Sequence, residues 1–470
     1  MEIAIINGKG LDGCGVTRGA HEVQIWAEKT GHIAKVYSLA ERKFARGDGH
    51  GIDNNFFTVA DIPSLRAQLE QVDIVYLNSY PAATNSKEAI DGFFYELVLK
   101  LEKPVIMGFM HELTTMNINK IPHLLGILNA CDVIFNFSEK TYFSTNVSTL
   151  LPSKKLGERI KRFTMWQNFT VTTEKLRDSI PLSAKKKELL YASRWTSMKD
   201  PRRVLDLGPL LREHEIDTRL IGIERSIGAK GDIFDHPYCL DLSIKGKQLG
   251  NLAGTPVEGP YMRQYGLEQM ANSLFNCSFY RMPKDPNGYG WRMEYAQIEM
   301  IAVGSLPVFD LHWAQHNGIS DGTPFSEIEH SGIYSDKANL AETVEKLVEV
   351  SKTPSLQKLI RNTSYDIIRA EYDAEIILPK MFEEVLAIGK DRNKFKSIEE
   401  MLLNITRSED YVEKYLELNY KGQLVALGLE EPKKGIIAVF DGKKRVEAAK
   451  FKLPQNLVQT SAAKKSILEF

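Results

Sequence analysis

Long apolar runs are what this sequence most clearly lacks. Nowhere in its 470 residues do 18 uncharged apolar residues follow one another, so no membrane span is expected. The chain opens directly on a strand-like run, MEIAII, with no basic leader, so export is not expected either and the cytoplasm is the expected compartment. Cysteine is scarce: the four present, Cys14, Cys131, Cys239 and Cys277, form no C-x-x-C pair. That argues against a disulfide framework and a structural zinc, and each reads as a small buried hydrophobe. An excess of one charge is missing too, with 60 Lys and Arg against 61 Asp and Glu, so any polyanion binding has to be local. D-x-D, H-E-x-x-H and a Walker Lys-Ser/Thr are all absent. Metal-held phosphates lose their usual markers, and no metal is expected.

With 43% hydrophobic residues over this length, the chain can bury more than one core. Apolar runs EIAII (2–6), IAKVYSL (33–39), VDIVYLNS (72–79), KPVIMGFM (103–110) and CDVIFNFS (131–138) alternate with helical patterns. The alternation restarts at ELLYASR (188–194), TRLIGIE (218–224), SLFNCSFYRM (273–282) and LPVFDL (306–311). Val- and Ile-rich runs separated by helices mark parallel sheets covered on both faces. The expected class is therefore α/β: two doubly wound domains, 1–175 and 176–375, facing a central cleft. A crossover helix over 376–394 and an α+β appendage over 395–470 are expected after them, the appendage with a hairpin at Asp441-Gly442. Ligands of such sheets sit at the strands' carboxyl ends.

Four clusters fall at such ends. The loop NGKGLDGCGVTRG (7–19) packs glycines between a strand and a helix, where backbone amides and the helix N-terminus attract anions. GKGLDG fits G-x-G-x-x-G, yet the second strand offers only Glu41, beside Arg42 and Lys43, as a ribose acid; this weakens a dinucleotide reading, and a tight turn without ligand stays open. In SRWTSMK (193–199), Arg194 and Lys199 supply a fork-shaped and a point cation suited to a diphosphate, with exposed cations as the plain alternative. In YGWRMEYAQIEMIAVGSLPVF (289–309), Gly290 opens an expected helix carrying Glu294 and Glu299. The two acids, five residues apart, do not share a helix face. Glu299 suits ribose hydroxyls, although spacing alone favours a solvated carboxylate for either residue. MHEL (110–113) places His111 and Glu112 at a strand end, where a His has the titration range of an active-site residue but is often structural.

Charge clusters locally. Residues 154–203 hold 14 Lys or Arg against 5 Asp or Glu, including Lys154, Lys155, Lys161 and Arg162. The stretch reads either as a solvated face or as a polyanion track. Arg42, Lys43 and Arg46 form a second basic set, in the loop ERKFARGDGHG.

Taken in order, GLDGCGVT (10–17), NSYPA (78–82), MHE (110–112), CDVIFNFS (131–138), RWTSMK (194–199), GIERS (222–226) and EYAQIEMIAVGSLPVF (294–309) resemble the DNA α-glucosyltransferases of T-even bacteriophages, through most of residues 1 to about 390. The resemblance implies the GT-B fold of two Rossmann-like domains. It implies retaining transfer of a sugar from a UDP-sugar co-substrate, with no cofactor, to 5-hydroxymethylcytosine in duplex DNA, protecting phage DNA from nucleases. By position, His111 and Glu112 fall on the family's functional His-Asp pair, Glu replacing Asp. Arg194 and Lys199 fall on the diphosphate pair, Glu299 on the ribose glutamate, and Gly13, Cys14, Gly15, Gly290 and Glu294 around the donor. Arg42, Lys43, Arg46, Lys154, Lys155, Lys161 and Arg162 are the expected DNA contacts. Trp291 stands where the motif's first glutamate would be, which leaves UDP-arabinose or another pentose, and an already glycosylated base, as alternatives. A polysaccharide- or glycolipid-building enzyme would want a basic-aromatic membrane helix, which the first domain does not offer. A non-catalytic DNA-binding accessory protein would not need Arg194, Lys199 and Glu299.

Overall fold

The computed structural model describes residues 1–7, 15–39, 52–78, 97–110, 130–136, 160–162, 165–193, 199–221, 248–252, 255–258, 263–279, 293–391 and 394. In the first sheet β1 (Glu2–Asn7) lies between β2 (Ile33–Leu39) and β4 (Ile74–Asn78), parallel to both. Outward lie β3 (Asn54–Phe57) on one side, and β5 (Val105–Met110), β6 (Val133–Asn136) and β7 (Ile160–Arg162) on the other, giving the order β3-β2-β1-β4-β5-β6-β7. All pairings are parallel. This is why the central strands are continuous apolar runs: every residue of β4 is buried, as is all of β1 after Glu2.

The second sheet is built alike around β8 (Lys186–Ala192), β9 (Asp217–Ile221), β12 (Ser273–Ser278), β13 (Leu306–Asp310) and β14 (Ile333–Ser335). An antiparallel pair, β10 (Gln248–Leu252) and β11 (Thr255–Glu258), extends one edge, for the order β10-β11-β9-β8-β12-β13-β14. The helices are α1 (Gly15–Thr30), α2 (Ile62–Leu69), α3 (Phe169–Thr172), α4 (Glu174–Ser179), α5 (Arg202–Arg212), α6 (Arg263–Asn272), α7 (Tyr295–Ala302), α8 (Leu311–His316), α9 (Leu340–Lys352), α10 (Pro354–Tyr372) and α11 (Ala374–Ile388).

Between the sheets the chain passes twice, and the two passages are hydrogen-bonded to each other. Gln167 N donates to the Tyr372 carbonyl at 2.8 Å and Ala374 N to the Gln167 carbonyl at 3.0 Å. Beyond them α11 returns to the first sheet's domain: Phe382 stacks on Trp26 of α1, ring centroids 5.4 Å apart. Lys390 Nζ then donates to the carbonyls of Leu101 and Pro104 at 2.8 and 2.9 Å. Asp132, fully buried, accepts from the Asp391 backbone at 2.9 Å and pairs with Lys394 at 2.5 Å. Residues 395–470, with the expected appendage and hairpin, lie outside the described residues. Cys131 and Cys277 are buried, as expected; Cys14 and Cys239 are not among the described residues. No described helix is long and apolar enough to cross a membrane.

Candidate active site at the domain junction

The first turn of α1 is held from below by two buried asparagines at the carboxyl ends of adjacent strands. Asn78 Nδ2 donates to the Val16 carbonyl at 2.8 Å and to Asn7 Oδ1 at 3.4 Å. Asn7 Nδ2 in turn reaches Thr17 Oγ1 at 3.5 Å, and Tyr76 donates to Asn78 Oδ1 at 2.9 Å. Apolar residues there would leave the turn without these partners, so its amides and partial positive charge are aimed by side chains from two strands.

In the second domain, Lys199 pairs with Glu294, 95 residues further on. Glu294 is the N-cap of α7 in a capping box, and Gln297 Oε1 accepts its backbone N–H at 2.8 Å. Lys199 sits on a turn held by a buried ionic knot. Asp200 has φ +38 and is 1% exposed. Arg203 donates to its Oδ2 from Nε at 3.2 Å and Nη2 at 3.1 Å, pairs with Asp310 at 2.6 Å, and donates to the Ser335 carbonyl at 3.2 Å. The guanidinium also lies over the Phe279 ring at 4.5 Å. A left-handed backbone at a non-glycine residue persists only where its surroundings over-determine it, and this knot does so.

Glu299, on α7, meets the other domain. Its Oε1 accepts from Arg263 Nε at 2.9 Å and lies 3.6 Å from Nε of Arg18, on α1. Arg18 also pairs with Glu22 one turn on, and Arg263 Nη2 lies 3.9 Å from the same Glu22 oxygen. Glu22 is fixed from the interdomain passage, its Oε2 accepting the Asn168 backbone and side-chain N–H groups, each at 2.6 Å. Burial first, and next the charge of Arg263, lower the Arg18 pKa from its ordinary value. Tyr295 packs between the domains. A Cβ at Gly15 would lie 3.3 Å from its ring and one at Gly19 3.4 Å from its hydroxyl, and burial pushes that phenol well above its ordinary range.

Of the residues expected from sequence, Gly15, Lys199, Glu294 and Glu299 are described and converge at this junction. Gly13, Cys14, Arg42, Lys43, Arg46, His111, Glu112, Lys154, Lys155, Arg194 and Gly290 lie outside the described residues. Lys161 and Arg162 lie on the edge strand β7, in register with Phe135 and Asn136. Three expectations are corrected. The α7 helix begins at Tyr295 after its Glu294 cap, not at Gly290. Neither Glu294 nor Glu299 is a solvated carboxylate, since each is paired with a cation. The basic stretch 154–203 is not one exposed track: Lys185, 8% exposed, donates to the Ala271 carbonyl, and Arg203, 2% exposed, is spent on two aspartates.

Sequence reasoning passed over Arg18, Glu22 and Arg263. An Arg and a Glu four apart read as a surface pair; the available signal was Gly15 and Gly19 at the same spacing, which marks a helix face approached closely. Arg263 carries no such signal. Among the described residues no group of three or more His, Cys, Asp or Glu is arranged to hold a metal ion.

Two doubly wound, mainly parallel sheets meeting in this way make up the GT-B fold. Within it, the chain is similar to the DNA alpha-glucosyltransferase of Enterobacteria phage T4, 24% identical over 403 residues that span 82% of this chain and 99% of that protein. Among solved structures, an alpha-glucosyltransferase in complex with UDP matches with a TM-score of 0.68 at 20% identity, covering 82% of this chain and 100% of the other. An alpha-glucosyltransferase bound to UDP-glucose and DNA containing an abasic site matches at 0.65 and 19%, covering 82% and 99%. No family model matches the chain. The resemblance to phage DNA α-glucosyltransferases carried by the ordered anchors is borne out.

Proposed function

We propose that this protein is a retaining DNA glycosyltransferase that moves a sugar, glucose or a related one, from a UDP-sugar to the hydroxyl of 5-hydroxymethylcytosine in duplex DNA, shielding phage DNA from nucleases. The observation that carries the reading is that Lys199 pairs with Glu294 at the cap of α7, whose Tyr295 and Glu299 meet Gly15 and Arg18 of α1 at the domain junction, in a chain matched to nearly the whole length of the T4 enzyme.

Glycosyl transfer separates charge into an oxocarbenium-like sugar and a departing diphosphate, so prepositioned positive charge is the largest service available. Lys199, Arg194 and the α1 amides with Gly13, Cys14 and Gly15 stabilise the diphosphate. Glu294 holds Lys199 in place, Gly290 lets the backbone approach the donor, and Glu299 takes the ribose hydroxyls. The acceptor oxygen attacks the anomeric carbon from the face that UDP leaves. The carbon–phosphate-oxygen bond breaks, and the hydroxyl proton passes to the leaving phosphate oxygen, while His111 and Glu112 orient sugar and acceptor. No metal takes part. The target base leaves the stack, and Arg42, Lys43, Arg46, Lys154, Lys155, Lys161 and Arg162 grip flanking phosphates, so DNA affinity falls steeply as salt rises.

Incubation with UDP-sugars and DNA containing cytosine, 5-hydroxymethylcytosine or glucosylated base, followed by nucleoside mass spectrometry, tests this directly. A hexose mass gain on 5-hydroxymethylcytosine is expected; no gain on any DNA defeats the reading. His111→Ala is expected to lower turnover, and near-normal turnover with intact folding would remove His111 from its role. A pentose donor is the second reading. It is favoured by Trp291 at the first-glutamate position and Glu112 for Asp, and would show as a pentose mass gain.

A further inference from the structure

Two arginines and two glutamates, contributed equally by the two domains, meet at the junction with almost no solvent. The side chains of Arg18 and Glu22 are 1% and 0% exposed, and those of Arg263 and Glu299 15% and 11%. Buried ionic groups stabilise a fold little better than apolar residues of the same shape would, because desolvation consumes most of the attraction. A set of four calls for another reason, and its geometry gives one. Arg263 Nε at 2.9 Å and Arg18 Nε at 3.6 Å both approach the same oxygen, Oε1, of Glu299. The carboxylate is therefore anchored by the Arg263 hydrogen bond and drawn at longer range by the charge of Arg18. Arg18 cannot drift, because Glu22 holds it and Glu22 is itself held by Asn168 in the passage between the domains.

We infer that Arg18 and Arg263 are positioning residues for the Glu299 carboxylate, so that the ribose subsite of the donor is assembled across the domain junction, one of its supports coming from the acceptor-side domain. The inference rests on the proposed ribose role of Glu299. Arg18 and Arg263 need not touch the nucleotide. They act by fixing which way the carboxylate faces, and a hydrogen bond from a hydroxyl to a charged, oriented acceptor discriminates where one to a rotating acceptor does not.

Titration calorimetry of the full-length protein with UDP and with 2′-deoxy-UDP tests this, with melting curves as the check on folding. The unmodified protein is expected to prefer UDP by about tenfold, the scale of one charge-assisted hydrogen bond. In R18Q, R263Q and R263K that preference is expected to fall toward unity. R263K matters because it keeps the positive charge but lacks the Nε that reaches Glu299, and its partly exposed position spares the core. Variants that weaken UDP and 2′-deoxy-UDP equally, leaving the preference intact, would overturn the inference and give the arginines a purely structural role. UDP binding without any preference in the unmodified protein would overturn the inference alone, leaving glycosyl transfer standing. No UDP binding at all would overturn the proposed function together with it.

Discussion

Lys185 is a cation buried beside other cations. Burial first, then the charges of Arg361 and Arg177, lower its pKa from 10.5 to about 7, and its Nζ partner is the neutral Ala271 carbonyl. Below pH 7 the amine is charged in both folded and unfolded chains, so the cost of burying it is fully present. Between pH 7 and its ordinary value, the unfolded chain holds the proton and the folded one releases it. Stability then rises with pH by up to about 1.4 kcal/mol per unit. Lys185→Met should therefore lead the unmodified protein in urea-melt stability at pH 6, and the lead should shrink by pH 10. Arg203 is the opposite case, a buried cation with anions around it. Arg203→Met leaves Asp200 and Asp310 buried without it, and is expected to cost about 3–5 kcal/mol in chemical unfolding. A higher KM for the UDP-sugar should accompany the loss, since the knot seats Lys199. Lys199→Ala should keep the fold and lose about 10²–10³ in kcat, the usual worth of one donor to developing charge.

At the level of elements, α7 has both ends specified. Its start is the Glu294 capping box, and its end is Gly304, φ +80, where a Cβ would lie 2.8 Å from the Arg361 guanidinium. Gly304→Ala is expected to destabilise by about 1–3 kcal/mol, read as a lowered Tm. The same elements show what the sequence could tell. Central strands were legible because burial on both faces makes them rich in Val, Ile, Leu and aromatic residues. The edge strands NNFF, IKR and IYS were not, being short and mostly half-polar, and the antiparallel pair QLGNL and TPVE contains a glycine and a proline. Lys199, Glu294 and Glu299 were legible as chemistry at strand ends. Their partners were not, because Glu294 meets Lys199 from 95 residues away, and Arg263 reaches Glu299 through a helix contact that no local pattern encodes.

For the whole molecule, every described strand of both sheets precedes residue 336 and α11 closes the first domain. A chain ending at residue 394 is therefore expected to keep the cooperative unfolding and UDP binding of the full chain. One ending at Asp373 should lose them, because Trp26 would be stripped of Phe382 and Asp132 of Lys394. Differential scanning calorimetry separates the two. The paired passages at Gln167 and Tyr372–Ala374 carry a further consequence, for the order of events at the ribosome. The first domain is begun by the N-terminal part of the chain but waits for α11, which is not made until the whole second domain has emerged. At ordinary synthesis rates that interval is on the order of 10–40 s. Throughout it the first domain has no finished core, so a newborn molecule completes the junction between its two domains only after α11 has emerged.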